Sequence, residues 1–349
     1  MVTYVVRRIM KAAPGDPAQM LISEDAQMRP DERRELVEYT RKRYHLDKPV
    51  VAQYLLWLNK VSPIGFTVDE DGRMQQLAVK GPDFGESFRV RRPVADLVFE
   101  ALPITLLLNI VSLPIVFGIA IVTGMGAARF RGQAFDTISG ILFLALWSFP
   151  TMLAGVLLIN LFANDNYLRW FPFGGLGETT GHAMTFLPTF TDEGWSEGYL
   201  LHVLWHLVLP VICLSYGGFA VLSKLTRASV LDALSADYVR TARAKGVSGI
   251  DALFRHAFRN SLLPLITVAS GILPSLLAGS VIVETIFNIE GMGKLMVTAV
   301  KFKDQELVMA VTLVAGLLGL ISYLIADLGY AIADPRARSH PATTRTTRA

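Results

Sequence analysis

Residues 238–264 read YVRTARAKGVSGIDALFRHAFRNSLLP, a basic, helix-forming stretch set between two long apolar runs. A chain needs no such segment merely to cross a bilayer. Asp237 is placed to cap a helix that starts at Tyr238. Gly246 supplies the left-handed residue that ends it. Ser248 and Asp251 then stand at capping-box spacing for a second helix, which is expected to run to Leu263-Pro264, where the proline can open the next apolar run. The first helix exposes Arg240, Arg243 and Lys245, and the second places Leu253, Phe254, Ala257 and Phe258 on one side. The result is an elbow with a basic tip and an apolar heel, a shape suited to a groove on another protein. A bland alternative stands beside it: an ordinary positively charged loop carrying a helix that lies in the membrane interface.

The flanking runs define the class. Of 349 residues, 52% are apolar and 18% are charged, too apolar for a soluble chain of this size. The charges fall in clusters between the runs, so the runs are spans and the clusters are loops. A span needs about 20 apolar residues, and 102–127, 138–162, 199–222, 263–287 and 307–332 qualify. None holds a Lys or Arg in its middle. Pro150, Pro210 and Pro274 fall inside spans, which is tolerable where neighbouring helices satisfy the freed carbonyls. The one cysteine, Cys213, lies in a span and excludes a disulfide framework within the chain. Lys and Arg sit at span ends and not on an aromatic-interleaved face, which argues against nucleic-acid binding.

Orientation follows from the short loops. Loop 129–136 carries Arg129 and Arg131. Loop 223–261 carries seven Lys and Arg against Asp232, Asp237 and Asp251, and the tail after Asp334 carries Arg336, Arg338, Arg345 and Arg348 with no acid. These are expected to be cytoplasmic, with both chain ends on that side. Segment 163–197, whose sole Lys or Arg is Arg169, lies on the outer side. Alternation puts 288–306 there too, despite Lys294, Lys301 and Lys303. It would also leave residues 1–100 wholly external, yet MVTYVVRRIM at 1–10 reads as the cytoplasmic foot of a span. The apolar stretch that should follow Arg8 is absent from this numbering, and a sixth span is therefore expected; the alternative is a divergent chain with five spans. Residues 1–13 are then the foot of that span and 14–97 an external domain. The transmembrane domain is 98–332, containing the loop 223–262, and 333–349 form a cytoplasmic tail. Within the external domain Tyr54, Leu55, Trp57 and Leu58 recur at helix spacing between 50 and 61. Residues 89–102 suggest a short interfacial helix before the first apolar run.

The central segment resembles the EAA signature of ABC-importer permeases, EAA-x3-G followed by an apolar residue and LP. Ala242, Gly246, Leu263 and Pro264 match, while Arg240 and Thr241 replace the first Glu and Ala. The longer gap from Gly246 to Pro264 and the spelling YVRTARAKG look like the dipeptide/oligopeptide branch. Further matches come in the right order: PGDP at 14–17, LDKP at 46–49 with Gln53-Tyr54, DFGES at 83–87, Arg92-Pro93-Val94, Leu102-Pro103 with Thr105-Leu106, VETIF at 283–287 with Gly291-Met292-Gly293, and DPR at 334–336. The chain resembles the B-type permease subunit of the peptide/nickel class of importers over nearly its whole length. Segment 61–81 looks inserted, and the outer loop 163–197 is long. The resemblance implies an all-α integral membrane protein of type I importer fold, a polytopic bundle of six spans. It implies a sister permease subunit, one or two ATPase subunits, an extracytoplasmic binding protein and short peptides as cargo. It also implies a location in a bacterial cell membrane. No cofactor is expected in this chain; ATP and magnesium belong to the ATPase partners. Tyr238, Arg240, Thr241, Ala242, Arg243, Lys245, Gly246, Leu263 and Pro264 would couple to the ATPase.

Other constellations are weaker. Gly291-Met292-Gly293-Lys294 is no phosphate loop, because Asn288 stands where the first glycine belongs and Leu295 replaces Ser or Thr. His202 and His206 share a helix face with no third metal ligand apparent. Glu284 and Asp327 are acids of the last two spans, both near span ends where they can reach water, and Glu284 is a candidate outer gate. Trp170, Phe171 and Phe173 in WFPFGGLG at 170–177 are candidate contacts for the binding protein, or else part of an interfacial aromatic belt. A secondary transporter or channel is the other class of reading. It would be expected to show broken helices in symmetric halves and central charges, and neither is evident in the sequence.

Overall fold

A computed structural model describes residues 2–12, 38, 49–68, 74–176, 186–191, 194–196 and 198–333. PGDP, most of LDKP and the closing DPR lie outside these residues. The described part is mainly helical: α1 Val2–Ala12, α2 Val50–Val61, α3 Val94–Arg129, α4 Ala134–Ser148, α5 Thr151–Phe162, α6 Gly198–Ser235, α7 Asp237–Ala244, α8 Arg259–Ile286, α9 Met292–Lys301 and α10 Gln305–Ala333. Two antiparallel hairpins complete it: β1 Ile64–Val68 with β2 Met74–Val79, and β3 Thr189–Thr191 with β4 Gly194–Ser196. The first hairpin occupies the segment that looked inserted.

The chain divides into two compact units. One comprises Met1–Ile104 and Glu290–Leu317. Its core joins Val94, Leu97, Val98 and Ala101 of α3 to Met292 and Ala299 of α9 and to Leu307, Val308, Ala310 and Val311 of α10. Of the four residues read at helix spacing in α2, Trp57 is buried against Met309, whereas Leu55 and Leu58 are exposed on another face. Arg7 is buried as well, and donates from Nε to Gln53 Oε1 at 3.3 Å. Asp304 precedes α10 and caps it, accepting from the Leu307 amide at 3.2 Å and from the Ser87 hydroxyl at 2.6 Å. Burial pushes its carboxyl above the ordinary aspartate range, and these bonds offset part of that shift.

The other unit, Thr105–Ile289 with Leu318–Ala349, holds most of the spanning helices. Here α3 and α6 come close through small residues. A Cβ on Gly124 would sit 2.5 Å from Thr226 Cβ, and one on Gly218 would sit 3.1 Å from Val116. Small residues allow such approach where no water drives helices together. The Thr123 and Ser223 hydroxyls bond across the same contact at 2.9 Å. Arg227 of α6 grips Asp136 of α4 in a bidentate pair at 2.6 and 2.7 Å, the geometry that suits guanidinium to carboxylate.

Three of the described helices are long and apolar enough to cross a membrane: α3, α6 and Gln305–Gly329 within α10. The expected span at 263–287 is the helix α8. Two expectations need correction. No separate interfacial helix precedes the first apolar run, because α3 is continuous from Val94. The expected span 138–162 is two helices, α4 and α5, bent by 98°. Proline disfavours the helical conformation of the residue before it, and Phe149 is extended with ψ 122°. Tyr216 then donates to the Phe149 carbonyl at 2.6 Å, and Cys213 Sγ lies 3.5 Å from the Thr151 carbonyl. Pro210 is accommodated inside α6.

Candidate functional site

The basic segment folds as an elbow. After α6 a single extended residue, Ala236 with ψ 149°, redirects the chain into α7. Asp237 is therefore the first residue of α7 and not its cap: the capping position requires the extended backbone that Ala236 has. Its carboxylate still lies in the first turn, where a negative charge is favoured, 3.5 Å from the exposed Arg240. At the far end Gly246 has φ +88°. Its amide bonds the Arg243 carbonyl at 3.0 Å and the Val247 amide bonds the Ala242 carbonyl at 3.2 Å, which together form a Schellman motif. Ser248 caps the next helix, accepting from the Asp251 amide at 3.1 Å while its hydroxyl donates to the Asp251 carboxylate at 2.7 Å.

That second helix differs from expectation. A single turn at Gly249–Asp251 passes into a π-helix at Ala252–Phe258 and then directly into α8. The helix does not stop at Leu263-Pro264; both lie within α8, and no new span starts there. The wider π turn changes which residues share a face. Ala252, Leu253 and Ala257 are buried, whereas Phe254 is 55% exposed. The expected apolar heel of Leu253, Phe254, Ala257 and Phe258 is therefore split. Leu253 packs with Met125, Ala128 and Val230, at the ends of α3 and α6. Val239 is the buried residue of α7.

The matched residues of the elbow fall mostly on its surface. Tyr238, Arg240, Thr241, Arg243, Lys245 and Gly246 are exposed, and Ala242 is half-buried. Beside them lies a cleft of about 520 Å³ lined by Ala128, Arg129, Leu234, Arg243, Ser248, Gly249, Ile250 and Leu253. The arrangement is a rigid, cationic projection whose base is fixed in the helical bundle. It offers surface and charge, and its one hydroxyl–carboxylate contact, Ser248 with Asp251, is a helix cap.

A second group of predicted residues gathers around the loop after α5. The amides of Trp170 and Phe171 both bond the Phe162 carbonyl, at 2.8 and 3.0 Å. Phe171 stacks on Trp205 of α6 with ring centroids 4.6 Å apart. Trp170 and Phe173 are 59% and 63% exposed. Gly174 and Gly175 have positive φ, 71° and 66°, and the Gly175 amide bonds the Phe287 carbonyl at 3.0 Å. His206 Nδ1 is 3.1 Å from the Gly175 carbonyl, and the His202 and His206 rings are 4.5 Å apart. Among the described residues no group of three metal-ligating side chains occurs. Gly177 lies outside the description.

Glu284 was expected near a span end within reach of water. It is fully buried, and accepts from the Thr105 hydroxyl at 2.8 Å. The sequence reading did not single out the bend at Phe149-Pro150 or its supports, Tyr216 and Cys213. The proline was the signal, but it does not distinguish a break from a tolerated kink.

The family model described as "Binding-protein-dependent transport system inner membrane component" matches residues 120–339, and that described as its N-terminal membrane component matches 1–109. The oligopeptide transport system permease protein AppB of Bacillus subtilis (strain 168) is 36% identical over 332 residues, 94% of this chain and 91% of that one. A putative peptide transport system permease protein of Brucella abortus (strain 2308) is 34% identical over 334 residues, 95% and 91% of the two chains. Among solved structures, an amino acid ABC transporter aligns over 68% of this chain and 94% of its own, with 14% identity and a TM-score of 0.44.

Proposed function

The chain belongs to the family of binding-protein-dependent transport system inner membrane components, and from that premise we propose that it forms half of the path by which short peptides enter the cell. As a family member it is an integral membrane permease subunit of an ABC importer and not itself an enzyme. Peptide cargo is supported by relatives named as oligopeptide and peptide permeases at 36% and 34% identity. Among the described residues, the break between α4 and α5 and the buried Glu284 are features that a secondary transporter would also show. The match of the family models to nearly the whole chain outweighs them.

One observation carries the coupling reading: α7 and the Lys245 that follows it present Arg240, Arg243 and Lys245 on a projection that buried Val239 seats, that the Schellman motif closes, and whose return helix Leu253 holds in the bundle. In this reading α7 sits in a groove of a separate ATPase subunit, which binds ATP and magnesium. The elbow, both chain ends and loop 129–136 face the cytoplasm. A sister permease supplies the other half of the path, and an extracytoplasmic binding protein delivers the peptide. Trp170 and Phe173 are the contacts for that protein, while Phe171, stacked on Trp205, anchors the loop. Glu284 acts at the outer gate through its bond to Thr105, holding α3 to α8.

The test is site-directed cross-linking in the assembled transporter. A cysteine at Arg243 should link to an ATPase subunit, and the link should depend on nucleotide. A cysteine at Phe173 should link to the binding protein. If Arg243→Cys links to no ATPase while uptake of labelled peptide persists, the coupling reading is wrong. If uptake is absent for every short peptide tried but the links form, only the cargo is wrong.

A further inference from the structure

Hydroxyls within spanning helices normally bond the carbonyl one turn back. Thr123, Thr226, Thr285 and Ser322 do so here, each to the residue four positions earlier, at 2.6 to 2.8 Å. Two serines depart from that habit. Ser112 in α3 is 0% exposed and Ser215 in α6 is 1% exposed, and neither hydroxyl has a hydrogen-bond partner among the described residues. Asn109, one turn before Ser112, is 5% exposed, and its Oδ1 is likewise unpartnered although its Nδ2 donates to the Thr105 carbonyl at 2.7 Å.

The two serines stand at about one level of the crossing, with Asn109 one turn earlier on α3. Val116 meets Gly218, and further along Thr123 meets Ser223 and Gly124 meets Thr226. Residue numbers rise together on both helices, so α3 and α6 run parallel. Ser112 lies four residues before Val116, and Ser215 three before Gly218. Each is therefore on the contacting face of its helix, one turn earlier. Both stand near the midpoints of helices of 36 and 38 residues, where water is scarce and an unmet polar group is costly. On the same face of α3, at i, i+4 and i+7, the series Thr105, Asn109 and Ser112 leads to Glu284 through the Thr105 hydroxyl.

We propose that Ser112, Ser215 and Asn109 Oδ1 bind ordered water at the α3–α6 crossing, forming a hydrated polar seam inside the transmembrane bundle that leads toward Glu284. A buried water needs two to four polar partners, and these oxygens with nearby helix carbonyls supply them. Such water lets the two helices exchange hydrogen bonds as they move, without stranding a hydroxyl in an apolar contact. This inference rests on buried oxygens alone and is independent of the cargo or the coupling partner.

The test uses the transporter purified with its partner subunits. A high-resolution density map should show a water peak within hydrogen-bond distance of at least two of the three oxygens. The peak should persist when sodium is replaced by choline. A sodium-dependent peak would make this a cation site and overturn the assignment. A dry contact, with the serines turned to their own helix carbonyls, would overturn it too. Melting temperatures add an independent sign. If water is bound, Ser112→Ala or Ser215→Ala alone leaves it short of a partner, and each lowers the midpoint by about 2–4 °C. The double variant, which releases the water, then loses less than the sum. Single substitutions that raise the midpoint or leave it unchanged, and that add simply in the double variant, would show a dry seam.

Discussion

At the scale of single residues, Gly246 has the sharpest consequence. Its φ of +88° lies where only glycine is at ease, and nothing stands within 4 Å of where a Cβ would be. The penalty of substitution is thus backbone strain and not a clash. A β-branched residue there costs about 1–3 kcal/mol, enough to unwind the Schellman motif but small against the insertion of the spans. Gly246→Val is expected to insert at wild-type level and to lose peptide uptake, with Gly246→Ala intermediate; normal uptake by the valine variant would detach the elbow from coupling. Asp304 gives a pH-dependent case. Its folded pKa is raised by burial, so its contribution is most favourable below the unfolded pKa and is lost as pH rises through the folded one. Asn keeps the cap on the Leu307 amide and can bond the Ser87 hydroxyl, which both donates and accepts, but its amide nitrogen cannot accept from the Phe88 and Arg89 amides as the carboxylate does. The melting temperature of Asp304→Asn relative to wild type should therefore rise as pH rises from about 4, near the ordinary aspartate pKa, toward about 8; a difference constant with pH would contradict the assignment. Sequence alone gave Gly246 its role because left-handed backbone has a narrow choice of residue. It placed Asp237 one position late as a cap, because the turn out of α6 was made by Ala236, which carries no signal of its own.

At the scale of elements, prolines in apolar surroundings meet different fates. Pro210 sits inside α6, Pro264 lies within α8 after a π-helical entry, and Pro150 ends α4 and starts α5 at 98°. The residue type is the same, and the neighbours decide. The break after α4 persists because Tyr216 supplies a donor to the Phe149 carbonyl. Tyr216→Phe leaves that carbonyl without its donor, at about 1–3 kcal/mol. The purified transporter should then melt several degrees lower, whereas Cys213→Ser, which retains a donor beside Thr151, should change little. An unchanged midpoint in Tyr216→Phe would mean that the bend is held elsewhere. This is why span positions were legible and the shape of the second span was not. Apolar length is written locally, but the partner that pays for a broken helix lies 67 positions away in the chain. The π-helix at Ala252–Phe258 hid in the same way: a period of 3.6 was assumed, and Phe254 was assigned to the wrong face.

At the scale of the whole molecule, the spanning helices leave much apolar surface uncovered. Within their most apolar windows α3 is 33% buried, α6 50% and the span in α10 28%. Large side chains such as Ile110, Val122, Leu320 and Leu324 are more than half exposed. Lipid covers such faces as readily as protein does, so exposure alone does not say which of them meets a partner. Burial does rank these three: α6, in contact with α4, α5, α7 and α8, is the most enclosed of them. The family reading assigns the stretch from α6 through α8 to the lining of a path shared with a sister permease. On that reading one copy of this chain closes no path. Reconstituted alone, or with ATPase subunits only, it should give no ATP-driven peptide uptake, and adding the sister permease and binding protein should restore it. A cysteine scan along α6 in the complete transporter should show one stripe protected by peptide cargo, at helical spacing and distinct from the stripe facing lipid. Active uptake by this chain and an ATPase alone would end the half-path reading. A scan without any protected stripe would move the path away from α6.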